Sequence, residues 1–447
     1  MDLGLLSKYN VPVPRYTSYP TVPFWKEDDT SSVQWMKHVQ TAFNKNNEIS
    51  LYIHLPYCES LCTYCGCNKH ITKNHMVEVP YIKAVLKEWN MYLAMLPQKP
   101  VLREIHLGGG TPTFFQPRNL AMLINGLKEG GIVPKHHHFS FEAHPSDTTD
   151  AHLETLKKIG FNRISIGVQD FDQQVLKVIH RFQTTAQIEH VTHKARALGY
   201  ESINYDLIYG LPLQTAAHME ENLKQLERFM PDRIALYSYA HIPEVKKAQR
   251  AYSEADLPKG EEKLALYNLA KAGLEKLGYV EIGMDHFALK HDELYQSAKS
   301  GKLHRNFMGY TPFDTELSIG LGASSISDSW TAYAQNEKTL KGYLERIKAG
   351  ELPLIKNHFL SEKDLLLRRK ILDLICHFEV SWFDKSFDEV KPLLDLFRAL
   401  EADGLVKVFA RQVKVTDLGK SFIRNICAVL DYRYQKAQQK PVFSKAV

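Results

Sequence analysis

The chain predicts an α/β protein: an incomplete TIM-like (β/α)6 barrel carrying an N-terminal arm and a mostly helical, winged-helix-like C-terminal domain. Three observations predict it. A short β-branched or aromatic run followed by an amphipathic stretch recurs six times between residues 51 and 239, the chemically informative segments fall just after those runs, and the chain beyond residue 361 changes to helices around a hairpin. Strand alternating with helix implies parallel strands joined by right-handed crossovers. In such folds the active site forms at the carboxyl ends of the strands.

Residues 1–48 read as an irregular arm, broken by Pro12, Pro14, Pro20 and Pro23. The barrel is expected over 49–290, with strands at 51–55, 104–107, 138–143, 163–168, 203–208 and 233–239. Its first helix places Ile82, Val85, Leu86, Trp89 and Leu93 on one face at helical period. A later helix starts at Asp147-Thr148-Thr149-Asp150, ahead of Leu153, Leu156 and Ile159, where short polar side chains can cap free amides. Residues 291–360, around Gly320-Leu-Gly322-Ala-Ser-Ser-Ile326, show no clear period and read as an extension of the barrel. The lid-like domain at 361–447 reads as helices at 362–377 and 382–401, a turn at Asp403-Gly404, strands at 406–409 and 413–416, and a helix capped near Asp417. Winged helices often bind DNA, but Lys407, Arg411, Lys414, Lys420 and Arg424 are scattered, which favours a packing or lid role.

At 447 residues, 44% hydrophobic and 24% charged, the chain can bury a large core, and the balance excludes disorder. The start, Met1-Asp-Leu-Gly-Leu-Leu-Ser-Lys-Tyr9, lacks the basic-then-apolar order of a signal peptide, and no apolar run approaches a bilayer span. A cytoplasmic enzyme, off the membrane, is expected. A formal charge of +5 is small for this length: it implies no nucleic-acid partner and suits an anionic small substrate.

Four of the six cysteines lie in Cys58-Glu-Ser-Leu-Cys62-Thr-Tyr-Cys65-Gly-Cys67. Thiolates this close make a ligand set for a soft metal or an iron–sulfur cluster. The Cys-x3-Cys-x2-Cys triplet holds three irons of a cubane and leaves the fourth open. Zinc on all four thiols remains a competing reading, although Cys65 and Cys67, one residue apart, would strain a tetrahedral ion. A disulfide framework fits poorly, because Cys376 and Cys427 sit alone in apolar helical surroundings and read as core.

Other segments fall at equivalent strand ends. Gly108-Gly109-Gly110 lets the backbone approach a ligand closely; by itself it is also an ordinary turn. Beside an open iron it becomes an edge that can receive the amino-acid end of S-adenosylmethionine. Glu142 can accept hydrogen bonds from ribose hydroxyls or an ammonium, or be a solvated strand-end charge. Tyr64 offers an aromatic face near the cofactor, or simply packs.

With an aromatic residue before its last cysteine, the triplet resembles the signature of the radical S-adenosylmethionine (SAM) superfamily. Further segments resemble the oxygen-independent coproporphyrinogen III oxidases: Pro14-Arg-Tyr-Thr-Ser-Tyr-Pro20, Gly66-Cys67, Gly108-Gly-Gly-Thr-Pro-Thr113, Gly167-Val-Gln-Asp-Phe171 and Asp206-Leu-Ile-Tyr-Gly-Leu-Pro212. Tyr239-Ala-His241, Gly283-Met-Asp-His-Phe287, His304-Arg-Asn306, Ala334-Gln-Asn336 and Ile423-Arg-Asn-Ile426 extend the likeness almost to the carboxyl end.

The resemblance implies oxidative decarboxylation, without oxygen, of two propionates of coproporphyrinogen III to the vinyl groups of protoporphyrinogen IX, in haem biosynthesis. It implies a [4Fe-4S] cluster on Cys58, Cys62 and Cys65, and SAM at the fourth iron, cleaved to a 5'-deoxyadenosyl radical that takes a hydrogen from the propionate β-carbon. Cys67 is the implied catalytic thiol. SAM contacts carry over to Tyr52, Tyr64, Gly109, Gly110, Thr111, Glu142, Gln169, Arg181, Asp206, Ala240 and Ile326, for two molecules side by side. Arg15, His304 and Arg305 are candidate cations for the substrate carboxylates. A low-potential electron donor, an unidentified electron acceptor and a monomeric state complete the expectation. One departure stands out: Ala143-His144-Pro145 replaces the valine and aspartate expected between Glu142 and the proline. Haem-carrier paralogues and haem-opening radical SAM methyltransferases are the alternatives, and Cys67 and the arm with Arg15-Tyr16 favour the oxidase.

Overall fold

A computed structural model describes residues 3–25, 31–385, 387–437, 443 and 444. The chain forms two compact units. One comprises Lys26–Pro258 and Thr315–Phe359, the other Met1–Trp25, Lys259–Asp314 and Leu360–Val447.

In the first unit six parallel strands follow one another in chain order: β1 (Glu48–Leu55), β2 (Val101–Gly109), β3 (His138–Ala143), β4 (Arg163–Gln169), β5 (Ser202–Tyr209) and β6 (Arg233–Ser238). This is the order the sixfold alternation predicts. Ile49, Leu51, Ile53, Ile105, Leu107, Phe139, Phe141, Ile164, Ile166 and Ile203 are fully buried, as strands covered on both faces require. Helices Glu78–Leu93, Pro117–Glu129, Asp150–Lys158, Thr185–Ala197 and Ala216–Phe229 link successive strands. Helix Asp150–Lys158 starts where the sequence places it, with Thr149 as N-cap and His152 closing the capping box in place of the usual Glu or Gln.

Residues that resisted assignment prolong this sheet. Strand β7 (Leu317–Leu321) pairs in parallel with β1, Ile49 opposite Leu317. Strands β8 (Ile326–Asp328), β9 (Ala332–Asn336) and β10 (Leu354–Phe359) then continue outward antiparallel.

The first helix is rotated relative to the expected stripe. Tyr81, Ile82, Val85, Trp89 and Tyr92 are buried, whereas Leu86 and Leu93 lie half-buried at its flank. Glu88 joins the buried face. Its carboxylate accepts from Gly322 N (2.9 Å), Asn336 Nδ2 (2.6 Å) and the Tyr343 hydroxyl (2.7 Å). Tyr81 donates its hydroxyl to His54 O (2.7 Å) and accepts from Ala323 N (3.0 Å), so one buried network ties the turn before β8 to the end of β1.

In the second unit, helix Glu362–His377 ends at Phe378 in the left-handed region (φ 56°). A strand, Glu379–Ser381, follows in the gap before the expected second helix, with Val380 fully buried against Val413 in a three-stranded sheet with Gln412–Val415 and Val406–Val408, and in place of one helix over 382–401 there are two, Phe387–Asp395 and Arg398–Ala402. Only the first part of the expected arm, up to Trp25, belongs to this unit; the stretch read as irregular up to residue 48 carries a helix, Ser32–Lys45, in the first unit. Arg424 donates to the carbonyls of Val13 and Pro14, Asn425 Nδ2 to Tyr9 O (2.9 Å), Tyr434 to Pro12 O (2.6 Å) and Tyr16 to Asp431 Oδ2 (3.2 Å). No helix among the described residues is long and apolar enough to cross a membrane.

Candidate active site

The parallel register brings the chemistry to one edge of the sheet. Strand β1 ends at Leu55 and feeds the cysteine loop, β2 ends in the glycines, and Glu142, Gln169 and Asp206 lie at or near the ends of β3, β4 and β5. Two short parallel strands, Tyr57–Cys58 and His70–Ile71, close the base of the loop, and Thr63 N donates to Ile179 O (3.0 Å).

Cys58, Cys62, Cys65 and Cys67 line one cavity of about 350 Å³ with Tyr64, Gly109, Gly110, Thr111, Glu142, Gln169, Arg181 and Asp206. That volume falls in the range of roughly 300–1,000 Å³ typical of small-molecule sites. Cys58 is buried, Cys62 and Cys65 are half-buried, and Cys67 is exposed. The structure also lines the cavity with Lys69, His144, Asp147, Ile208 and Tyr237, which sequence reasoning did not select as ligand contacts. Lys69 follows the fourth cysteine by two residues, and that short spacing was the available signal. Tyr52, Ala240 and Ile326 lie outside the lining. Tyr52 stacks on His106 and reaches His54 Nδ1 (3.1 Å), Ala240 O accepts from Gln249 Nε2 (3.0 Å), and Ile326 opens β8.

Two glycines are required by close approach. A Cβ on Gly109, at φ +111°, would lie 2.6 Å from the His54 ring, and one on Gly110 would lie 2.7 Å from the backbone of Pro56 and Tyr57. Gly109 N donates to Glu142 Oε2 (3.2 Å), with His106 Nε2 3.5 Å from the other carboxylate oxygen. Burial and then the neighbouring Glu142 push Asp206 up to about 6, while Ser165 and Asn204 donate to it. Gln169 is held at φ +67°, next to the fully buried Asp170, whose carboxylate accepts from Gln214 (2.7 Å) and Asn222 (3.1 Å).

The donor set fits an iron–sulfur cluster. Three thiols share the cavity, Thr111 Oγ1 donates to Cys58 Sγ (3.3 Å), Arg181 Nη1 lies 3.7 Å from Cys62 Sγ, and Lys69 and Arg181 bring positive charge to what would be an anionic centre. Burial pushes the Cys58 thiol up to about 11, so deprotonation there needs a metal to stabilise the thiolate. His144, at the departure from the expected motif, accepts from or donates to Ser146 Oγ (2.8 Å). Burial, then the Arg181 charge, holds it well below the usual histidine range, so the imidazole is neutral at the cavity wall.

The candidate substrate cations belong to the other unit and have partners there. Arg15 pairs with Asp285, Arg305 Nη1 donates to Arg15 O (2.9 Å) and stacks over Tyr310, and His304 Nδ1 lies 3.3 Å from Asp314.

Comparison with known proteins agrees with this geometry. The Radical SAM superfamily profile matches residues 52–226. The oxygen-independent coproporphyrinogen III oxidases of Synechocystis sp. and Escherichia coli K12 are each 38% identical to the chain, over 99% and 100% of it and 97% and 98% of their own lengths. That of Pseudomonas aeruginosa is 34% identical over 100% of the chain and 98% of its own. The solved structure of the E. coli coproporphyrinogen III oxidase (HemN), a radical SAM enzyme, superposes with a TM-score of 0.90 at 36% identity, covering 97% of this chain and 99% of that one.

Proposed function

Because the chain belongs to the oxygen-independent coproporphyrinogen III oxidases, a family within the radical SAM superfamily, we propose that its cysteine-lined cavity carries out the oxygen-independent oxidative decarboxylation of two propionates of coproporphyrinogen III to the vinyl groups of protoporphyrinogen IX. The observation that carries this reading is the convergence of three thiols, a glycine edge and paired acids in one cavity at the strand ends. Cys58, Cys62 and Cys65 would hold a [4Fe-4S] cluster. When bound, the cluster and SAM supply the one-electron chemistry that attacks an unactivated C–H bond, which side-chain acids and bases cannot do.

The chain's own residues bind, orient and shield. Gly109 and Gly110 open the wall for a close-fitting ligand, Glu142 and Asp206 present acceptors to hydroxyl or ammonium groups, and Gln169 presents its amide from a fixed backbone. Tyr64, Ile208 and Tyr237 give the cavity apolar walls that exclude water from reactive species. Two SAM molecules, divided among these contacts, follow from the two propionates to be processed. A low-potential one-electron donor, a separate electron acceptor, a monomeric state, a cytoplasmic setting, and no nucleic-acid or membrane partner complete the proposal. The full-length oxidase relatives favour it over a haem carrier or a ring-opening methyltransferase.

Anaerobic incubation with SAM and a strong reductant, offering coproporphyrinogen III and haem separately, tests the reading. Two decarboxylations with formation of 5'-deoxyadenosine are expected. Haem bound without turnover would mark a carrier, and haem consumed with coproporphyrinogen untouched would mark a ring-opening enzyme; either result refutes the oxidase.

Arg15 and Arg305 fasten the arm in this proposal, and His304 pairs with Asp314, since each already faces a partner in its own unit. Arg15→Ala is therefore expected to lower Tm by a few degrees, reflecting about 1 kcal/mol for a half-exposed pair, and to leave the Kd for coproporphyrinogen III unchanged. Weakened binding at unchanged Tm would return Arg15 to the substrate site.

A further inference from the structure

We propose that Thr111 and Arg181 form a pair of hydrogen-bond donors to two of the ligand sulfurs that sets the reduction potential of the cluster, with Arg181 the dominant member. The inference rests on the cluster assignment above and goes beyond it. Cys58 Sγ accepts from the Thr111 hydroxyl at 3.3 Å, and Cys62 Sγ faces Arg181 Nη1 at 3.7 Å. Two sulfurs thus meet donors of different kinds, a hydroxyl and a guanidinium.

Both donors are fixed by the fold. Thr111 N donates to Tyr57 O (2.9 Å), which locks its side chain beside the loop. Arg181 is almost fully buried at 6% exposure, and its guanidinium is anchored by Gln183 Oε1 (2.8 Å), the Tyr64 hydroxyl (3.3 Å) and the carbonyl of Gly167. Anchored in this way, Arg181 is well placed to hold a constant charge against Cys62. Guanidinium stays protonated at every accessible pH, so its effect does not titrate.

One-electron reduction adds negative charge to the cluster, and the electron comes from the external donor. Hydrogen bonds to the ligand sulfurs and nearby positive charge favour that reduced state and raise the potential. A cationic donor acts more strongly than a neutral one.

The experiment reconstitutes the wild type, Arg181→Met, Thr111→Val and Thr111→Ser anaerobically. Iron and sulfide are counted, and each cluster is titrated by EPR-monitored potentiometry without SAM or substrate. Arg181→Met is expected to disfavour reduction at least tenfold, about 59 mV for one electron. Thr111→Val should shift in the same direction by less, and Thr111→Ser should match the wild type. Equal potentials across variants with full iron content would overturn the proposal. If Arg181→Met assembles no cluster, the Thr111→Val and Thr111→Ser pair decides: identical potentials overturn it, and separated ones uphold it. A wild type that takes up no cluster would refute the proposed function instead.

Discussion

Cys62→Ala is expected to yield a protein that, after anaerobic reconstitution, lacks the visible iron–sulfur absorption, holds little iron and shows no detectable decarboxylation. Cys67→Ser should keep both iron and absorption and still lose turnover. The physical difference lies in what each thiol does. Cys62 is half-buried in the loop wall with Arg181 against its sulfur, so removing it takes one of three ligands and leaves a buried cation without its anion. Cys67 is exposed and lies beyond the Cys-x3-Cys-x2-Cys triplet. Iron analysis beside the spectrum decides the matter, and loss of the cluster in Cys67→Ser would mean that the fourth thiol is a ligand and no iron is open.

Replacing Glu88 should produce the largest stability loss outside the cysteine loop. Its carboxylate is the shared acceptor for Gly322 N, Asn336 and Tyr343, all fully or almost fully buried. Glu88→Leu strands the Gly322 amide and the Tyr343 hydroxyl in a dry interior and takes one of three acceptors from Asn336, and at 1–3 kcal/mol per stranded donor the cost is about 4 kcal/mol. Urea denaturation measures it, and a loss below about 1 kcal/mol would refute the network's importance. A pH dependence follows as well. Burial pushes Glu88 up to about 7 from an ordinary 4.5, against the pull of its three donors. The folded state therefore holds the proton more tightly than the unfolded chain. The stability from this group is full below pH 4.5, and it falls by about 3 kcal/mol as pH rises toward 7. Glu88→Gln, which cannot titrate, should remove that slope between pH 5 and 7.

Much of this was legible in the sequence. The six strands could be read because runs such as Arg163-Ile-Ser-Ile-Gly-Val168 are β-branched and bounded by helical periods. The cavity could be read because four thiols and three glycines are rare at such spacings. Glu88 could not. A charge in an amphipathic helix is read as solvated, and only the fold reveals that Asn336 and Gly322, far along the chain, come to meet it. The stripe through Leu86 and Leu93 failed for the same reason: strand β7 and its successors cover the side of the helix that hydrophobicity alone leaves open. Those strands are short, and Gly320, Ser325 and Ser327 interrupt any apolar alternation, so no period marked them. Strand Glu379–Ser381 was hidden by its length of three residues. Arg15 could be read as a cation but not as a paired one, because Asp285 lies 270 positions away.

The anchoring of the arm has a consequence for the order of synthesis. Tyr9, Pro12, Val13 and Pro14 leave the ribosome first, yet the side chains that grip them, Arg424, Asn425 and Tyr434, are made more than 400 residues later. At translation speeds of about 5–20 residues per second the arm waits tens of seconds for its partners. Meanwhile residues 48–238, whose ladders join neighbouring strands, can pair in the order they emerge. The beginning of the chain is thus among the last parts to be fastened. Its prolines at 12, 14, 20 and 23 suit that delay, since a segment lacking those amide donors cannot join a growing sheet while it waits.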